Sequence, residues 1–454
     1  MKVKEMVKVT GGRLLSGDPG SEICLERIST DSRTIRPGGF FLPIKGKNFD
    51  GERFVARALG KGAAGSFITS RGLKAVPRKK IIIRVKDTAT ALQRLAHAHR
   101  MKFGIPVIGV TGSNGKTSTK DMICEALSSR FKVLKSEGTK NNHLGVPQTL
   151  LKLKKRHDIC VLEMGMNHKG EIRLLADIAR PTMAVITNIG PSHLKFLKNL
   201  DGVFEAKKEI TEFLPKGGTL IINGDDRYLS LIKSRRLRIE RFGFDERNDL
   251  RASLTGYVAG RIEFIVNDRT RFVLNLIGTH NVYNALAAIA VARRFALGFD
   301  AIRKGLAGYR PGRMRLNMKK IGGITVINDA YNSNPLSMEC ALQAIKYIPA
   351  GAKWIVSADM LELGEREGEF HRIVGESVAR SGFDGLITFG RLSRHTHSSA
   401  IENGMKRQNI WHCSSRGEVV DRLRSLARPG DAVLVKGSRA MKMEEVVEGL
   451  KGAK

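Results

Sequence analysis

The segment that most restricts this chain is a strand that feeds a glycine turn. An apolar stretch at 106–110, Pro106-Val107-Ile108-Gly109-Val110, runs without a break into Thr111-Gly112-Ser113-Asn114-Gly115-Lys116-Thr117-Ser118, and a helix-like run at 119–129 follows. A strand apolar at every position is buried on both faces, as strands are in parallel sheets covered by helices. Glycines at its end let consecutive backbone N–H groups converge on one anion, and the helix N-terminus adds partial positive charge. Lys116 can then reach terminal phosphates, and the Thr117 hydroxyl can ligate Mg²⁺. The order of elements therefore predicts a nucleotide held by Thr111, Gly112, Ser113, Asn114, Gly115, Lys116, Thr117 and Ser118. The common pattern asks for glycine at 110, where Val110 stands with Gly109 one place early, so the loop is a variant. Alone it leaves GTPase, kinase, motor and ligase open.

The remainder of the chain has the rhythm of three α/β units. Residues 1–100 mix short apolar runs with turns, place a strand at 39–44 between two polar loops, Ser29-Thr30-Asp31-Ser32-Arg33 and Gly46-Lys47-Asn48-Phe49-Asp50-Gly51, and end in a helix at 89–100. Residues 101–313 repeat apolar strand, glycine loop and amphipathic segment, with strands expected at 106–110, 159–162, 183–187 and 219–222 and antiparallel additions within 249–276. An Ala-rich helix is expected from about 280 to 296. Beyond Tyr309-Arg310-Pro311-Gly312-Arg313 a second series of buried-type strands begins, at 324–328, 353–357, 386–389 and 432–436, within a third unit at 314–454.

Composition narrows the classes. No run of 18 apolar residues occurs, and Met1-Lys2-Val3-Lys4-Glu5 turns polar at once, so a cytoplasmic protein is expected. Five scattered cysteines without a Cys-x-x-Cys pair indicate neither a disulfide framework nor a zinc site. The net charge of +34 raises nucleic acid as a partner. Yet the excess is spread along the chain, in short clusters such as Arg78-Lys79-Lys80, Lys152-Leu153-Lys154-Lys155-Arg156 and Lys233-Ser234-Arg235-Arg236, with no nucleic-acid module beside them. A basic surface suited to small anionic substrates is the reading adopted, with a nucleic-acid-binding ATPase as the alternative from another class.

Further motifs follow the loop in order. Glu163-Met164-Gly165 ends a strand, where a carboxylate would stand beside the phosphates; one Glu with Thr117 suits a cation that keeps several waters. Then come Thr187-Asn188-Ile189-Gly190-Pro191-Ser192-His193, Glu205-Ala206-Lys207-Lys208-Glu209, and Gly278-Thr279-His280-Asn281-Val282-Tyr283-Asn284, whose Asn281 and Asn284 share a helix face. The third unit holds Pro311-Gly312-Arg313, Asn328-Asp329-Ala330-Tyr331-Asn332-Ser333-Asn334-Pro335, Asp359-Met360-Leu361-Glu362-Leu363-Gly364-Glu365 and Lys436-Gly437-Ser438-Arg439. In these motifs, with the shifted loop, the whole chain resembles the Mur ligases, ATP-dependent enzymes that extend the peptide stem of bacterial cell-wall precursors by amide formation.

The resemblance implies a three-domain α/β architecture, with a central phosphate-loop domain of mostly parallel sheet and a Rossmann-like C-terminal domain. It implies ATP and two Mg²⁺ ions, with Thr117, Glu163, His193 and Lys207 as metal groups, Lys207 as a carbamylated lysine, and Lys116 and Arg313 meeting the phosphates. Asn281 and Asn284 would face the adenine, and Asp329 and Tyr331 would lie near the nucleotide. Ser29, Asp31, Ser32 and Arg33 would bind a UDP-linked precursor together with Asn141 and Asn142, and Asn332 and Asn334 would orient the amino substrate. The runs at Asp359 and Lys436 favour the branch of the family that adds D-alanyl-D-alanine to a UDP-N-acetylmuramoyl-tripeptide. A sister ligase or a polyglutamate ligase is the nearest rival, and a monomer working on small molecules is expected.

Overall fold

The structure, a computed structural model, describes residues 1–46, 49–69, 79–258 and 260–452. Lys47 and Asn48 of the second polar loop and Arg78 of the first basic cluster lie outside the described residues.

Three sheets organise the chain. The first orders Arg13–Ser16, Ile81–Arg84, Gly65–Ile68, Phe40–Phe41 and Ile28–Ser29 side by side. Its apolar residues Phe40, Phe67 and Ile83 pack under the helix Thr88–Arg100, which is capped by the Asp87 carboxylate.

The central sheet has nine strands, and the phosphate-loop strand Val107–Thr111 lies inside it, between Met183–Ile186 and Ile159–Glu163. All three are fully buried and mutually parallel, as the unbroken apolar runs require. Register sets the chemistry: Glu163 pairs with Val110, and Ile186 with Thr111, so a carboxylate and the start of the 187–193 loop emerge beside the glycine turn. Ligands of open parallel sheets bind at these strand ends. The far edge turns antiparallel through Leu250–Val258, Arg261–Val266 and Thr270–Leu274.

Over this sheet lie the helices Lys116–Leu127 and His280–Arg294. The second is buried at almost every position, and its alanines at 285, 287, 288, 290 and 292 let it approach the first closely. Burying Val282, Leu286, Ile289 and Val291 stabilises it by roughly 1.5–3 kcal/mol each. The third sheet orders Asn317–Ile321, Ile324–Asp329, Ala432–Lys436, Lys353–Ala358, Gly385–Phe389 and Ile410–Cys413, parallel except for its first pair. Register again matters, because Asp329 pairs with Lys436. Among the described residues no helix is long and apolar enough to cross a membrane.

Candidate active site

The strand ends of the second and third sheets face each other across a cleft of about 660 Å³. The central sheet contributes the glycine turn, Glu163, His193, Asn281 and Asn284; the third contributes Arg315, Asp329, Tyr331, Asn334 and Lys436. This volume is what a nucleotide-sized ligand needs.

The glycine turn is built before any ligand arrives. Gly112 holds φ +147°, and a Cβ there would stand 1.9 Å from Thr187 Oγ1; Gly115 holds φ +81°, with Asn284 Oδ1 2.4 Å from such a Cβ. Neither position accepts another residue without rearrangement. The shifted Gly109 has a separate cause, since a Cβ on it would press Ile210 at 3.0 Å and Met164 at 3.2 Å, while Val110 packs into the core. The 187–193 loop braces the turn. Asn114 N–H donates to Asn188 Oδ1 at 2.9 Å, Ser113 N–H donates to the Asn188 carbonyl at 2.9 Å, and Ser113 Oγ donates to the Gly190 carbonyl at 2.9 Å. Asn188 therefore clamps the loop, a role not read from the sequence.

Lys116 Nζ donates to the carbonyls of Gly112 at 2.8 Å and Ser113 at 3.0 Å. Burial lowers its pKa, Glu163 opposes that, and Arg315 adds to it. Part of the side chain stays open to the cleft. Beside it, Thr117 Oγ1 donates to Glu163 Oε2 at 2.8 Å, and Asn141 Nδ2 donates to Glu163 Oε1 at 2.7 Å. Glu163 is 1% exposed. Among the described residues no three His, Cys, Asp or Glu side chains converge as a ready metal site. One carboxylate and one hydroxyl are nonetheless the donor set that suits Mg²⁺, which takes few protein ligands and keeps its waters.

His193, at φ +55°, is fixed by Glu362, whose Oε2 lies 2.8 Å from Nδ1. Burial, then Lys116 and Lys207, push the imidazole pKa down, with Glu362 pulling the other way. Lys207 is 2% exposed, and its ammonium has no hydrogen-bond or ion-pair partner among the described residues. Burial and the neighbouring Lys116 hold its pKa well below the usual lysine range. Lys208 instead turns outward, onto Glu205 at 2.9 Å. Inside and outside are thereby divided between the two adjacent lysines.

The asparagines on the Ala-rich helix are committed to the protein. Asn281 Nδ2 donates to the Ile277 carbonyl at 2.8 Å, Asn284 Nδ2 to Asn281 Oδ1 at 3.2 Å, and Thr119 Oγ1 to Asn284 Oδ1 at 3.1 Å. Both line the cleft. His280 lines it too, with a buried Nδ1 that has no hydrogen-bond partner among the described residues and a pKa that burial pushes down to about 4.

Across the cleft the placements diverge from expectation at one arginine. Arg313 is exposed and forms no part of the cleft wall, whereas Arg315, two residues on, does. The left-handed backbone of Met314 and Leu316 turns consecutive side chains to different sides. Arg315 Nη2 donates to Thr117 Oγ1 at 3.0 Å, and its guanidinium lies 4.0 Å from the centroid of the Tyr331 ring. Asp329 accepts from Lys436 Nζ at 2.5 Å and from the Leu316 N–H at 3.1 Å. Asn332 is exposed, and its carbonyl accepts from Lys436 at 3.0 Å. Asn334 caps the helix Pro335–Lys346 and exchanges two amide hydrogen bonds with Asn114, at 2.9 and 3.1 Å, so it ties the phosphate loop to the third sheet.

The residues expected to bind a UDP-linked precursor lie mostly elsewhere. Ser29, Asp31, Ser32 and Arg33 form a turn on the first sheet, outside the cleft wall. Asp31 N–H donates to Ser29 Oγ at 3.1 Å, Ser32 is buried, and Arg33 grips Asp31 through Nε at 3.0 Å and Nη2 at 2.8 Å. Those bonds hold the Asp31 carboxyl down at about 2. Gln148 Nε2 donates to Thr30 Oγ1 at 3.2 Å, tying the turn to the central unit. Asn141 lines the cleft, while Asn142 is exposed and its Oδ1 accepts from the Gly145 N–H at 2.9 Å. Of the residues not anticipated, Asn188, Ser136 (whose Oγ accepts from the Glu163 N–H at 3.2 Å), His280, Arg315 and Lys436 all bear on the cleft. The Arg-x-Arg spacing at 313–315 was the only sequence signal for Arg315.

Comparison with known proteins agrees with this architecture. Residues 25–100 match "Mur ligase family, catalytic domain", residues 110–292 "Mur ligase middle domain", and residues 312–439 "Mur ligase, glutamate ligase domain". The UDP-N-acetylmuramoyl-tripeptide–D-alanyl-D-alanine ligase of Bacillus subtilis (strain 168) is 38% identical over 451 residues, covering 99% of this chain and 97% of that protein. Its counterpart in Escherichia coli (strain K12) is 35% identical over 461 residues, covering 98% and 99%. The crystal structure of MurF from Acinetobacter baumannii superposes with a TM-score of 0.90 at 30% identity, covering 100% of this chain and 99% of that one. MurF ligase from Thermotoga maritima in complex with ADP superposes with a TM-score of 0.85 at 29% identity, covering 95% and 98%. With the glycine turn, the carboxylate at its mouth and the opposing third sheet all in this arrangement, the chain belongs to the Mur ligase family.

Proposed function

We propose that this chain joins D-alanyl-D-alanine to a UDP-N-acetylmuramoyl-tripeptide at the expense of ATP, in the cytoplasm, as a step of peptidoglycan precursor synthesis. The observation that carries the reading is the convergence of Lys116, Thr117, Glu163 and Arg315 at the mouth of the glycine turn, opposite a third sheet that closes over it. The substrates follow from the relatives' names. We assign residues 1–100 to precursor binding, 101–313 to ATP binding, and 314–454 to completing the ATP and amino-substrate sites.

Amide formation needs an activated acyl group. The tripeptide carboxylate attacks the γ-phosphorus of ATP, giving an acyl phosphate and ADP; the amine of D-alanyl-D-alanine attacks the acyl carbon, and the tetrahedral adduct expels phosphate as the amine proton leaves. Lys116 and the turn's N–H groups stabilise charge on the transferring phosphoryl group, and no enzyme nucleophile is required. Thr117 and Glu163 would hold Mg²⁺, which when bound neutralises charge on the phosphates. Lys207 and His193 would serve a second ion, with Lys207 as a carbamate: burial and the neighbouring Lys116 disfavour its ammonium, the neutral amine is the form that adds CO₂, and the carbamate supplies oxygen donors where an ammonium repels a cation. Asn281 and Asn284 would border the adenine while bracing the turn, with Asp329 and Tyr331 nearby. The cross-cleft contacts of Asn114 with Asn334 and His193 with Glu362 keep water from the acyl phosphate.

Incubation with ATP, UDP-linked tripeptide and D-alanyl-D-alanine should release phosphate and form the pentapeptide. Release only when glutamate or a diamino acid replaces the dipeptide would overturn the assignment in favour of a sister ligase.

A further inference from the structure

We propose that the edge of the central sheet turned away from the cleft is a docking face for an anionic lipid bilayer. Six strands of that sheet run parallel, in the order Arg238–Gly243, Thr219–Asn223, Met183–Ile186, Val107–Thr111, Ile159–Glu163 and Val133–Lys135. Their C-terminal ends therefore share the cleft side, and the segments that lead into them share the other, along a front about 24 Å wide at ordinary strand spacing. The two ends differ in charge. Glu163, Asp225, Asp226 and Asp245 stand at or just beyond the C-terminal ends. Ahead of the N-terminal ends come Lys132, Lys155 and Arg156, Lys216, and Lys233 with Arg235, all exposed. None of these six has an ion pair or a side-chain hydrogen bond among the described residues. Carboxylates near this edge are already committed: Asp158 accepts from the Lys132 N–H at 2.7 Å, Asp177 is paired with Arg180, Glu212 with Arg173 at 2.8 Å and Glu5 with Lys102 at 2.5 Å.

The contact of Lys102 with Glu5 carries the basic face onto the first unit, because Glu5 belongs to the helix Val3–Thr10, whose Lys4 and Lys8 are exposed. The third unit shares little of the excess: residues 314–454 hold 21 Lys and Arg against 16 Asp and Glu, so most of the +34 belongs to the first two units. A broad front of unpaired cations complements a surface of anionic headgroups, to which each Lys or Arg adds attraction. Two features favour a bilayer over a nucleic acid. Large apolar side chains stand exposed among the cations, Met101 beside Lys102 and Leu231 two residues before Lys233, as suits a headgroup layer with acyl chains beneath it. A nucleic-acid strand would ask instead for open aromatic faces on which bases stack. Phe103, Phe131 and Phe213 near this edge are half-buried, and the guanidinium groups of Arg130 and Arg180 lie over the last two rings at 5.5 and 4.6 Å. Docked by this edge, the chain would keep its cleft facing water, about 17 Å of strand away.

Co-sedimentation of the full chain with lipid vesicles tests this, and it needs no catalytic turnover, so its result is independent of the ligase reading. Wild type should bind phosphatidylcholine vesicles that contain about 30% phosphatidylglycerol at least about tenfold more tightly than pure phosphatidylcholine, and should lose most of that binding at about 0.5 M NaCl. Two charge-reversed pairs probe the edge: Lys155→Glu with Arg156→Glu, and Lys233→Glu with Arg235→Glu. Each should weaken binding about tenfold or more, since two attractions are lost and two repulsions gained. Lys406→Glu with Arg407→Glu, exposed on the third unit, changes the net charge equally and should weaken binding less than about twofold. Unchanged melting temperatures certify that the variants fold. The proposal is overturned if wild type does not distinguish the two kinds of vesicle, or if the third-unit pair costs as much as the edge pairs, which would make adsorption a matter of net charge. It is overturned as well if both edge pairs bind the mixed vesicles like wild type while losing affinity for a DNA duplex, which would make the edge a nucleic-acid face.

Discussion

Two loops of this chain are expected to meet a diphosphate, and they are made in opposite ways. The 111–118 turn is fixed by left-handed glycines against Thr187 and Asn284, pinned by Asn188, and carries a lysine that faces Glu163, a carboxylate shared with Thr117 and Asn141. The 29–33 turn carries an arginine that is 77% exposed and whose fork is already filled by Asp31. The first is organised before its ligand binds, so its binding energy is available for the reaction. The second is an exposed ion pair of small worth that a ligand must rearrange, so its contribution is confined to affinity.

The largest expected effect lies in the first loop. Lys116→Ala should reduce kcat for ligation by about 10³-fold or more without lowering the melting temperature, because the lysine meets transferring charge and is desolvated at rest. A variant that ligates normally would remove the loop from the mechanism. Next comes Gly112→Ala. A methyl group 1.9 Å from Thr187 Oγ1, at φ +147°, should cost about 2–4 kcal/mol and several degrees of melting temperature, with ADP binding lost in parallel. Unchanged thermal denaturation would mean that the turn is not pre-built and would erase the contrast with the 29–33 loop.

What could be read in the sequence divides along the same line. The central strands and the phosphate turn were legible because local pattern specifies them: four largely apolar runs became four parallel strands, each within a residue of expectation at its ends. Arg13–Ser16, Val133–Lys135 and Asn317–Ile321, edge strands with polar or half-exposed residues, carried no such pattern and were not anticipated. In the site, Lys116, Thr117 and Glu163 follow from strand order and register, whereas Arg315 depends on two left-handed residues that no propensity favours. Asn334, expected to orient an amino substrate, spends its amide on a helix cap and on Asn114. That contact spans 220 residues and is invisible to any local rule.

Protonation should separate the loops as well. His280, in the cleft, has its pKa lowered by burial from 6.5 to about 4, with Asp329 and Lys436 facing it. Below pH 6.5 the unfolded chain takes up a proton that the folded one refuses, so stability should fall as pH drops from about 6.5 towards 4 and level off below that. Melting temperatures at pH 7 and pH 5 should differ by a few degrees in the wild type and by less in His280→Gln. An identical slope in that variant would show that the imidazole already shares its proton with the cleft. The Asp31 carboxyl, held at about 2, is depressed; its stabilisation is complete above the ordinary carboxylate range and is lost only as pH falls through about 2. Asp31→Asn should therefore leave the slope between pH 7 and 5 untouched.

The smallest effect belongs to Arg33, and it tests the comparison most sharply. Arg33 is exposed and its partner is a neighbour two residues away, so Arg33→Ala should move the melting temperature by less than about 1 °C. If the turn receives the diphosphate of the UDP-linked substrate, the same variant should raise KM for that substrate about tenfold, the scale of one charge-assisted hydrogen bond, with kcat and KM for ATP unchanged. Asp31→Asn should raise it less, about threefold, because the amide still braces the guanidinium through its oxygen. A fall in kcat in either variant would contradict the division drawn here: the 29–33 turn would then act on the transition state across the domain boundary, and the contact of Gln148 with Thr30 would be the route by which it does so.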